Sequence, residues 1–342
     1  HYWGYDGFRP GQAEVIDSIL SGHDTLALMP TGGGKSITFQ VPALANPGIC
    51  LVVSPLVALM KDQVKNLQKR GILSAFISSE MPHWEILQQL DNCILGDYKF
   101  LYISPERISS ELFQEKLKTL SRKVNLLVVD EAHCISQWGN DFRRDYRLIA
   151  DIRDVIPHVQ VIAVTASATA AVVADICEQL HFRKGYRIFK TSFERKNLSF
   201  VVRKTDNKLK EICHILSAVP GSAVIYSRTR KGVEEYAGKL RAAGISAEYF
   251  HAGLDPVLKT ERQADWVKGF TRVLVATNAF GMGIDKGDVR VVIHTEFPDS
   301  MEAYYQEAGR AGRDGKRAYA VALLGPQDIT DIKRRPSNAF PT

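Results

Sequence analysis

The sequence has no Cys-x-x-Cys pair, no long apolar run and no low-complexity tract. Its cysteines are five scattered single residues: Cys50, Cys93, Cys134, Cys177 and Cys213. Scattered cysteines argue against a disulfide framework or a zinc site, and they favour reduced, buried thiols. No apolar run approaches the roughly 18 residues of a membrane span. No signal peptide opens the chain, and a start at His1 indicates a trimmed N-terminus.

The length of 342 residues suggests about two domains. A hydrophobic fraction of 45% and a charged fraction of 24% are typical of globular proteins. The net charge of +6 and pI near 8.9 favour a polyanionic partner. Charge alone does not separate a nucleic-acid-binding protein from other globular proteins.

Apolar runs alternate with helical patterns, which predicts parallel sheets covered on both faces. Strands are expected at 25–29, 49–54, 74–77, 100–104, 125–130 and 160–165. Over 183–204 the pattern breaks into short, charged, strand-like pieces. It restarts with strands at 223–226, 247–250, 272–276, 289–294 and 318–324. Helices are expected between them, including 57–69, 83–90, 231–241 and 258–270. The two halves therefore look like repeats of one α/β architecture.

A glycine-rich stretch, Met29–Ser36, follows the first predicted strand. Its consecutive glycines allow backbone N–H groups to surround an anion at the start of a helix. Lys35 could reach the β- and γ-phosphates of a nucleotide, and the Ser36 hydroxyl could ligate Mg²⁺. The match to a P-loop is partial because Met29 stands where the pattern has glycine, so a simple turn remains the alternative. The following helix is expected to stop at Pro42.

Asp130 and Glu131 follow the apolar run Leu126–Val129. An acidic pair at the carboxyl end of a buried strand suits a Walker B site, where Asp130 holds Mg²⁺ and Glu131 orients or deprotonates the attacking water. The alternative is a solvated acidic turn.

Arg310 and Arg313 lie in the stretch Gln306–Asp314, spaced by small residues. Their spacing predicts that both lie on one helical face. Arginines from a facing surface stabilise the charge of a transferring phosphoryl group. A solvated basic helix would explain the arginines but not the glycines beside them.

These stretches together resemble the RecQ family of DNA helicases within superfamily two. The resemblance runs from about Tyr5 to Arg313, and its motifs occur in the family's order. They are 5–12, 29–36, 54–64, 102–107, 130–133, 135–146, 165–169, 224–228, 275–285 and 306–314. The resemblance implies two tandem RecA-like lobes, a P-loop NTPase helicase core. Lobe 1 is expected at 1–190, a connector at 191–205, lobe 2 at 206–330 and an irregular tail at 331–342.

The resemblance also assigns roles to residues of the ATP site. Gln12 would read the adenine edge, with Tyr5 stacked on the base and Arg9 beside it. Lys35, Asp130, Glu131, Arg310 and Arg313 would be catalytic. The nucleotide would also contact Thr31, Gly32, Gly33, Gly34 and Ser36, and Ser36 and Asp130 would hold Mg²⁺. Thr165–Thr169 would couple hydrolysis to strand handling.

The most family-specific stretch is Ile135–Tyr146. Trp138, Phe142 and Arg143 suit stacking on unpaired bases and pairing with phosphates. The four-residue spacing of the aromatics could instead indicate a buried helical stripe. The family usually has His where Asn140 stands and Pro where Arg144 stands, so the chain departs from the family at two positions of this loop.

DNA backbone contacts are expected at the strand ends of both lobes. The candidates are Ser54, the turn 104–107, Arg228, His251, Thr277 and 281–283. The resemblance implies an ATP-dependent 3′→5′ translocase that unwinds single-stranded or forked DNA in repair and recombination. It is expected to be a monomer in the bacterial cytoplasm at the nucleoid, or in a eukaryotic nucleus. An RNA-directed helicase and an ATP-gated DNA-binding switch without unwinding remain the alternatives.

The family commonly continues into a zinc-binding module and a winged helix. No cysteine follows Gly325, so no zinc is expected in this chain. Either the motor core is cut short or the protein belongs to a zinc-free branch.

Overall fold

A computed structural model describes residues 2–4, 6–30, 32–136, 143–166, 168–192, 194–280, 286–298, 300–326 and 328. The chain divides into two units, His1–Phe193 and Glu194–Thr342. Each unit is built on a parallel sheet, as the alternating pattern predicts. Among the described residues, none of the helices is long and apolar enough to cross a membrane.

The first unit has a seven-stranded parallel sheet in the order β3-β4-β2-β5-β6-β1-β7. Its strands are β1 Thr25–Leu28, β2 Ile49–Val53, β3 Ser74–Ile77, β4 Phe100–Ile103, β5 Val124–Val129, β6 Gln160–Thr165 and β7 Arg187–Lys190. Neighbouring residues of β1 enter different cores: Leu26 and Leu28 pack on one side, Ala27 and Met29 on the other. Both faces are buried, so the central strands read as continuous apolar runs.

Helices connect these strands. They are α1 Gln12–Leu20, α2 Lys35–Ala45, α3 Val57–Gln68, α4 His83–Leu95, α5 Glu111–Leu120, α6 Ile149–Val155 and α7 Ala170–Gln179. The predicted stop at Pro42 is wrong, because α2 continues to Ala45. Proline removes one helical N–H, but Ala43 is buried and the Asn125 side-chain amide donates to its carbonyl at 3.0 Å. Packing and this hydrogen bond hold the last turn.

A buried carboxylate lies at the amino end of β1. Asp24 is fully enclosed, and it accepts hydrogen bonds from the Val161 backbone at 3.0 Å and the Arg183 backbone at 2.8 Å. The Arg183 guanidinium donates to it at 3.0 and 3.3 Å, and the buried Arg153 guanidinium donates as well. Asp24 therefore joins the start of β1 to α6, β6 and the segment before β7.

The second unit has a six-stranded parallel sheet in the order β10-β11-β9-β12-β13-β8. Its strands are β8 Leu198–Lys204, β9 Ser222–Tyr226, β10 Ala247–Phe250, β11 Val273–Ala276, β12 Val289–His294 and β13 Ala318–Leu324. Its helices are α8 Lys208–Ala218, α9 Arg230–Ala242, α10 Pro256–Lys268 and α11 Met301–Ala308.

The expected connector at 191–205 needs a correction. Residues 198–204 form β8, which pairs with β13 along its whole length in the second sheet. β8 is an edge strand, and most of its side chains are partly or fully exposed. Exposure on this scale permits charged residues, and these made the segment look like a linker.

Candidate active site

The P-loop connects the carboxyl end of β1 to the start of α2. Gly32 and Gly34 have φ angles of +78° and +80°, which favour glycine. A Cβ on Gly33 would lie 2.9 Å from the Pro30 carbonyl oxygen. Lys35 is the first residue of α2, so its side chain starts at the positive end of the helix dipole. The loop has the backbone geometry of a phosphate cradle.

Gln12, the first residue of α1, and Arg9 just before the helix hold this loop in place. The Gln12 amide donates to the Gly34 carbonyl at 3.0 Å and accepts from the Arg9 backbone at 2.8 Å. Arg9 donates to the Gly32 carbonyl at 2.6 Å. Gln12 is 3% exposed, and a Cβ on Gly34 would lie 2.3 Å from its nitrogen. The structure therefore places Gln12 against the loop backbone, and its contact with adenine stays a prediction.

Asp130 and Glu131 follow β5, one strand beyond β6 from β1, so both motifs meet at the carboxyl edge of the sheet. Lys35 Nζ lies 3.2 Å from Glu131 Oε1. Glu131 has a φ of +46°, a left-handed conformation that is uncommon and strained outside glycine. The structure thus places Lys35, Asp130 and Glu131 together, as the sequence predicts. The strained backbone of Glu131 indicates that the surrounding structure, and not local conformational preference, fixes this turn.

Burial and the neighbouring charge of Glu131 raise the pKa of Asp130 to about 6, against the opposing effect of Lys35. A half-buried carboxylate with this pKa is poorly solvated, and a nearby cation would stabilise its charged form. The Ser36 hydroxyl and the Asp130 carboxylate are hard oxygen ligands of the kind that Mg²⁺ accepts, with phosphates and water completing its shell. The residues present therefore fit the ion that the sequence implies.

The predicted contact of Ser54 with DNA stays a prediction. Its side chain is 1% exposed and its hydroxyl donates to Asp130 Oδ2 at 3.3 Å. This hydroxyl supports the Asp130 carboxylate, so a contact with DNA would fall to the Ser54 backbone. Tyr146, which is fully buried, supports the same turn from below by donating to the Asp130 carbonyl at 2.9 Å.

His133 links the acidic turn to the end of β6. Its Nδ1 lies 2.9 Å from the Thr165 hydroxyl and 3.5 Å from Glu131 Oε2. Thr165 begins the stretch that the resemblance associates with coupling. The contact gives Glu131 a side-chain path to that stretch.

In the second unit, residues 309–314 follow α11 and carry both predicted arginines; we call them the arginine turn. The expected helical face is wrong, because α11 ends at Ala308 and the arginines occupy successive turns. Gly312 has a φ of +62°, which does not continue a helix. The turn is anchored from α11 by Glu307, whose carboxylate lies 2.8 Å from Nε2 of the fully buried His294.

Tyr226 lies at the end of β9 beside this turn. Burial raises its pKa to about 12, while the nearby Arg310 acts in the opposite direction. Its hydroxyl donates to the Phe280 carbonyl at 2.9 Å. The Tyr226 hydroxyl therefore lies close to the Arg310 guanidinium.

The other predicted DNA contacts are placed differently from one another. Arg143 is half-buried and donates to the Pro55 carbonyl at 3.2 Å, whereas Arg228 is exposed beyond the end of β9. His251 is 6% exposed and pairs with Glu234 at 2.9 Å, and Thr277 is also buried. Tyr5, Thr31, Trp138 and Phe142 lie outside the described residues, as does the range 281–283.

Comparison with known proteins decides the family. The model of the DEAD/DEAH box helicase family matches residues 9–176, and that of the helicase conserved C-terminal domain matches residues 207–315. The ATP-dependent DNA helicase RecQ of Bacillus subtilis (strain 168) is 44% identical over 332 residues, covering 96% of this chain and 56% of that protein. This chain is a RecQ-family helicase core.

A second relative has similar coverage. The RecQ core is 40% identical to the ATP-dependent DNA helicase RecQ of Pasteurella multocida (strain Pm70), over 95% of the chain and 51% of that protein. The chain therefore spans about half the length of the curated relatives it matches. The solved structure of Mycobacterium smegmatis helicase Lhr bound to ssDNA and AMP-PNP shares the fold, with a TM-score of 0.75 at 21% identity over 96% of this chain and 47% of that one.

Several residues that support the site were not found from sequence. Arg195 and Asn197, which contact the arginine turn, fall in the charged stretch that looked like a connector. His294 was read only as the end of a strand. The one signal available for these residues was the combination of a polar side chain with a strand end, which many solvated loops share.

Proposed function

We propose that this RecQ core is an ATP- and Mg²⁺-dependent motor that moves along single-stranded DNA and separates duplex strands. The proposal rests first on one observation: Lys35 and Glu131 lie 3.2 Å apart beside the half-buried Asp130, at the end of a P-loop with two left-handed glycines. The family membership supports the choice of nucleic acid as the partner.

The residues of the first unit would divide the chemistry between them. The P-loop amides and Lys35 would bind the phosphates, and Ser36 and Asp130 would hold Mg²⁺. Mg²⁺, when bound, neutralises charge on the phosphate oxygens. Glu131 would orient the attacking water and accept its proton, which requires its contact with Lys35 to give way to the nucleotide.

Arg310 and Arg313 would complete the site by stabilising the charge of the transferring phosphoryl group. Closure of the units around ATP and reopening after hydrolysis would advance the strand. Movement in the 3′→5′ direction, a role in repair and recombination and action as a monomer are proposals drawn from the family resemblance.

The central test is the ATPase activity of the wild-type chain, Lys35→Ala and Arg313→Ala, with and without single-stranded DNA. Lys61→Ala is a matched control, because Lys61 is an exposed lysine of the same unit that pairs with Glu80. Loss of turnover in both site variants with normal turnover in the control supports the proposal. Turnover at the wild-type level in Lys35→Ala and Arg313→Ala would sink the mechanism.

Strand displacement on forks of both polarities tests the remaining parts. Release from one polarity only assigns the direction of movement. Hydrolysis and binding without release would favour an ATP-gated switch, and stronger stimulation by RNA than by DNA oligonucleotides would favour an RNA substrate. Trp138→Ala is expected to remove DNA stimulation while basal hydrolysis remains.

A further inference from the structure

Two side chains at the start of the second unit grip the backbone of the arginine turn. Arg195 and Asn197 immediately precede β8, at the beginning of the second unit. Both reach residues more than a hundred positions later in the chain. The contact is therefore made by the tertiary fold and not by local structure.

Arg195 donates to three carbonyls of the turn. Its guanidinium lies 3.4 Å from the Gly309 oxygen, 3.0 Å from that of Ala311 and 2.7 Å from that of Gly312. Carbonyls that follow the end of a helix have no partner within it. The planar guanidinium supplies several donors in a fixed arrangement, which an ammonium group does not.

Asn197 completes the grip. Its amide nitrogen donates to the Gly312 carbonyl at 2.7 Å and to the Lys316 carbonyl at 2.9 Å. Its amide oxygen accepts from Arg195 Nε at 3.3 Å. The two side chains thus support each other as well as the turn.

The turn is shaped to receive these groups. Gly312 has a φ of +62°, and a Cβ there would lie 2.6 Å from the Asn197 amide nitrogen and 2.8 Å from both Ala318 Cβ and the Lys316 oxygen. Glycine is required here by conformation and by space. This accounts for the glycine between the two arginines, which a solvated basic helix left unexplained.

We infer that Arg195 and Asn197 are positioning residues for Arg310 and Arg313. The inference rests on the proposed role of those arginines in phosphoryl transfer. Misplacing a catalytic group by about 1 Å can lower a rate by about a hundredfold. A grip on the carbonyls of Gly309, Ala311 and Gly312 fixes the backbone on both sides of Arg310 and directly before Arg313.

The test begins with two variants, Arg195→Gln and Arg195→Lys. The lysine variant keeps the positive charge but lacks the planar guanidinium. We expect kcat for DNA-stimulated ATP hydrolysis to fall about ten- to hundredfold. The affinity for a fluorescent ATP analogue should stay within about twofold, because the P-loop of the first unit is untouched. Asn197→Asp, which replaces a donor with an acceptor facing carbonyls, should lower kcat in the same way.

Arg272→Gln is the matched control. Arg272 also donates to three backbone carbonyls in the second unit, those of Leu216, Val219 and Gly221, away from the arginine turn. Its loss should lower the melting temperature as Arg195→Gln does, while kcat of the folded protein stays near wild type. A loss of kcat in Arg272→Gln equal to that in Arg195→Gln would show a merely structural effect and overturn the inference.

A double-mutant cycle with Arg313→Ala gives the decisive result. If Arg195 acts through the turn, adding Arg195→Gln to Arg313→Ala should lower kcat much less than it does in the wild-type chain. A loss of the same factor in both backgrounds, or a normal kcat in Arg195→Gln and Arg195→Lys, overturns the inference. Normal turnover in Arg313→Ala alone would instead overturn the proposed function, so the two failures are distinguishable.

Discussion

Replacing Asp24 with Asn should strongly destabilise the first unit. Asp24 accepts five hydrogen bonds in a fully enclosed position, and its partner Arg153 is itself only 8% exposed. Asn keeps the shape but removes the charge, so the Arg153 guanidinium loses its buried counter-ion. Removing one partner of a buried pair costs about 3–5 kcal/mol. At about 2–4 °C per kcal/mol for a unit of this size, the melting temperature should fall by about 6–20 °C.

Differential scanning calorimetry would measure the unfolding transition of the first unit, recognised as the one whose melting temperature rises when MgADP is added. Glu80→Gln is the control, because the Lys61–Glu80 pair is exposed and should be worth about 0–1 kcal/mol. Burial alone would raise the pKa of Asp24, but hydrogen bonds from Arg183, Val161 and Arg153 outweigh it and lower that pKa. The stabilisation is therefore present above the ordinary Asp pKa and is lost as pH falls through the lowered value. A decrease in melting temperature of less than about 2 °C at pH 8 would be no larger than the decrease expected for the control, and it would refute the reasoning.

Three further outcomes follow from the site. Asp130→Asn should raise the melting temperature at pH 8 while abolishing turnover. The raised pKa of Asp130 means that its charged form destabilises the folded state above about pH 6. Calorimetry should show this gain in melting temperature shrinking toward pH 4, and an equal gain at both pH values would contradict the prediction. Ser54→Ala should raise the Mg²⁺ concentration needed for half-maximal ATPase and leave the salt dependence of DNA binding unchanged; the reverse pattern would show that the Ser54 hydroxyl contacts DNA. Gln12→Ala should weaken ATP and GTP binding equally if Gln12 only holds the P-loop, whereas a selective loss of ATP in a nucleotide titration would establish adenine recognition.

Most strands were predictable from sequence because their residues are largely buried and apolar, and this includes β3 and β10 at the sheet edges. The predicted bounds of β3, β6, β10, β12 and β13 agree with the structure. When every residue of a strand is buried, as in β11, the sequence shows an uninterrupted apolar run, which turns and charged segments do not have. The P-loop and acidic turn were located for a related reason, since each follows such a run.

The exposed edge strands β7 and β8 and the arginine turn were not predictable in the same way. β7 exposes most of its residues, including Arg187 and Lys190, and β8 exposes Arg203 and Lys204. Charged residues interrupt the apolar pattern in both, so the sequence indicated only short, charged, strand-like pieces there. The arginine turn was mistaken for a helix because Arg310 and Arg313 have helical spacing, and only Gly312 carried the opposing signal.

The residues that support the site are far from it in sequence and meet it only in the folded chain, so a local sequence pattern cannot reveal them. The hydroxyl of Ser54 reaches Asp130, 76 positions later, and the guanidinium of Arg195 reaches Gly312, 117 positions later. The residue types that follow each predicted strand were enough to predict that Asp130 and Lys35 lie close together, because both follow strands at the same edge of the sheet. It could not distinguish a serine that supports Asp130 from one that meets DNA.

The position of β1 also has a consequence for synthesis. β1 pairs with β6 and β7, which emerge from the ribosome more than a hundred residues after it. Such long-range pairing is slow to form and carries a large loop-closure cost. The Met29 N–H completes the junction by donating to the Thr165 carbonyl at 3.0 Å. A nascent chain should therefore acquire nucleotide affinity only when nearly all of the first unit has left the exit tunnel.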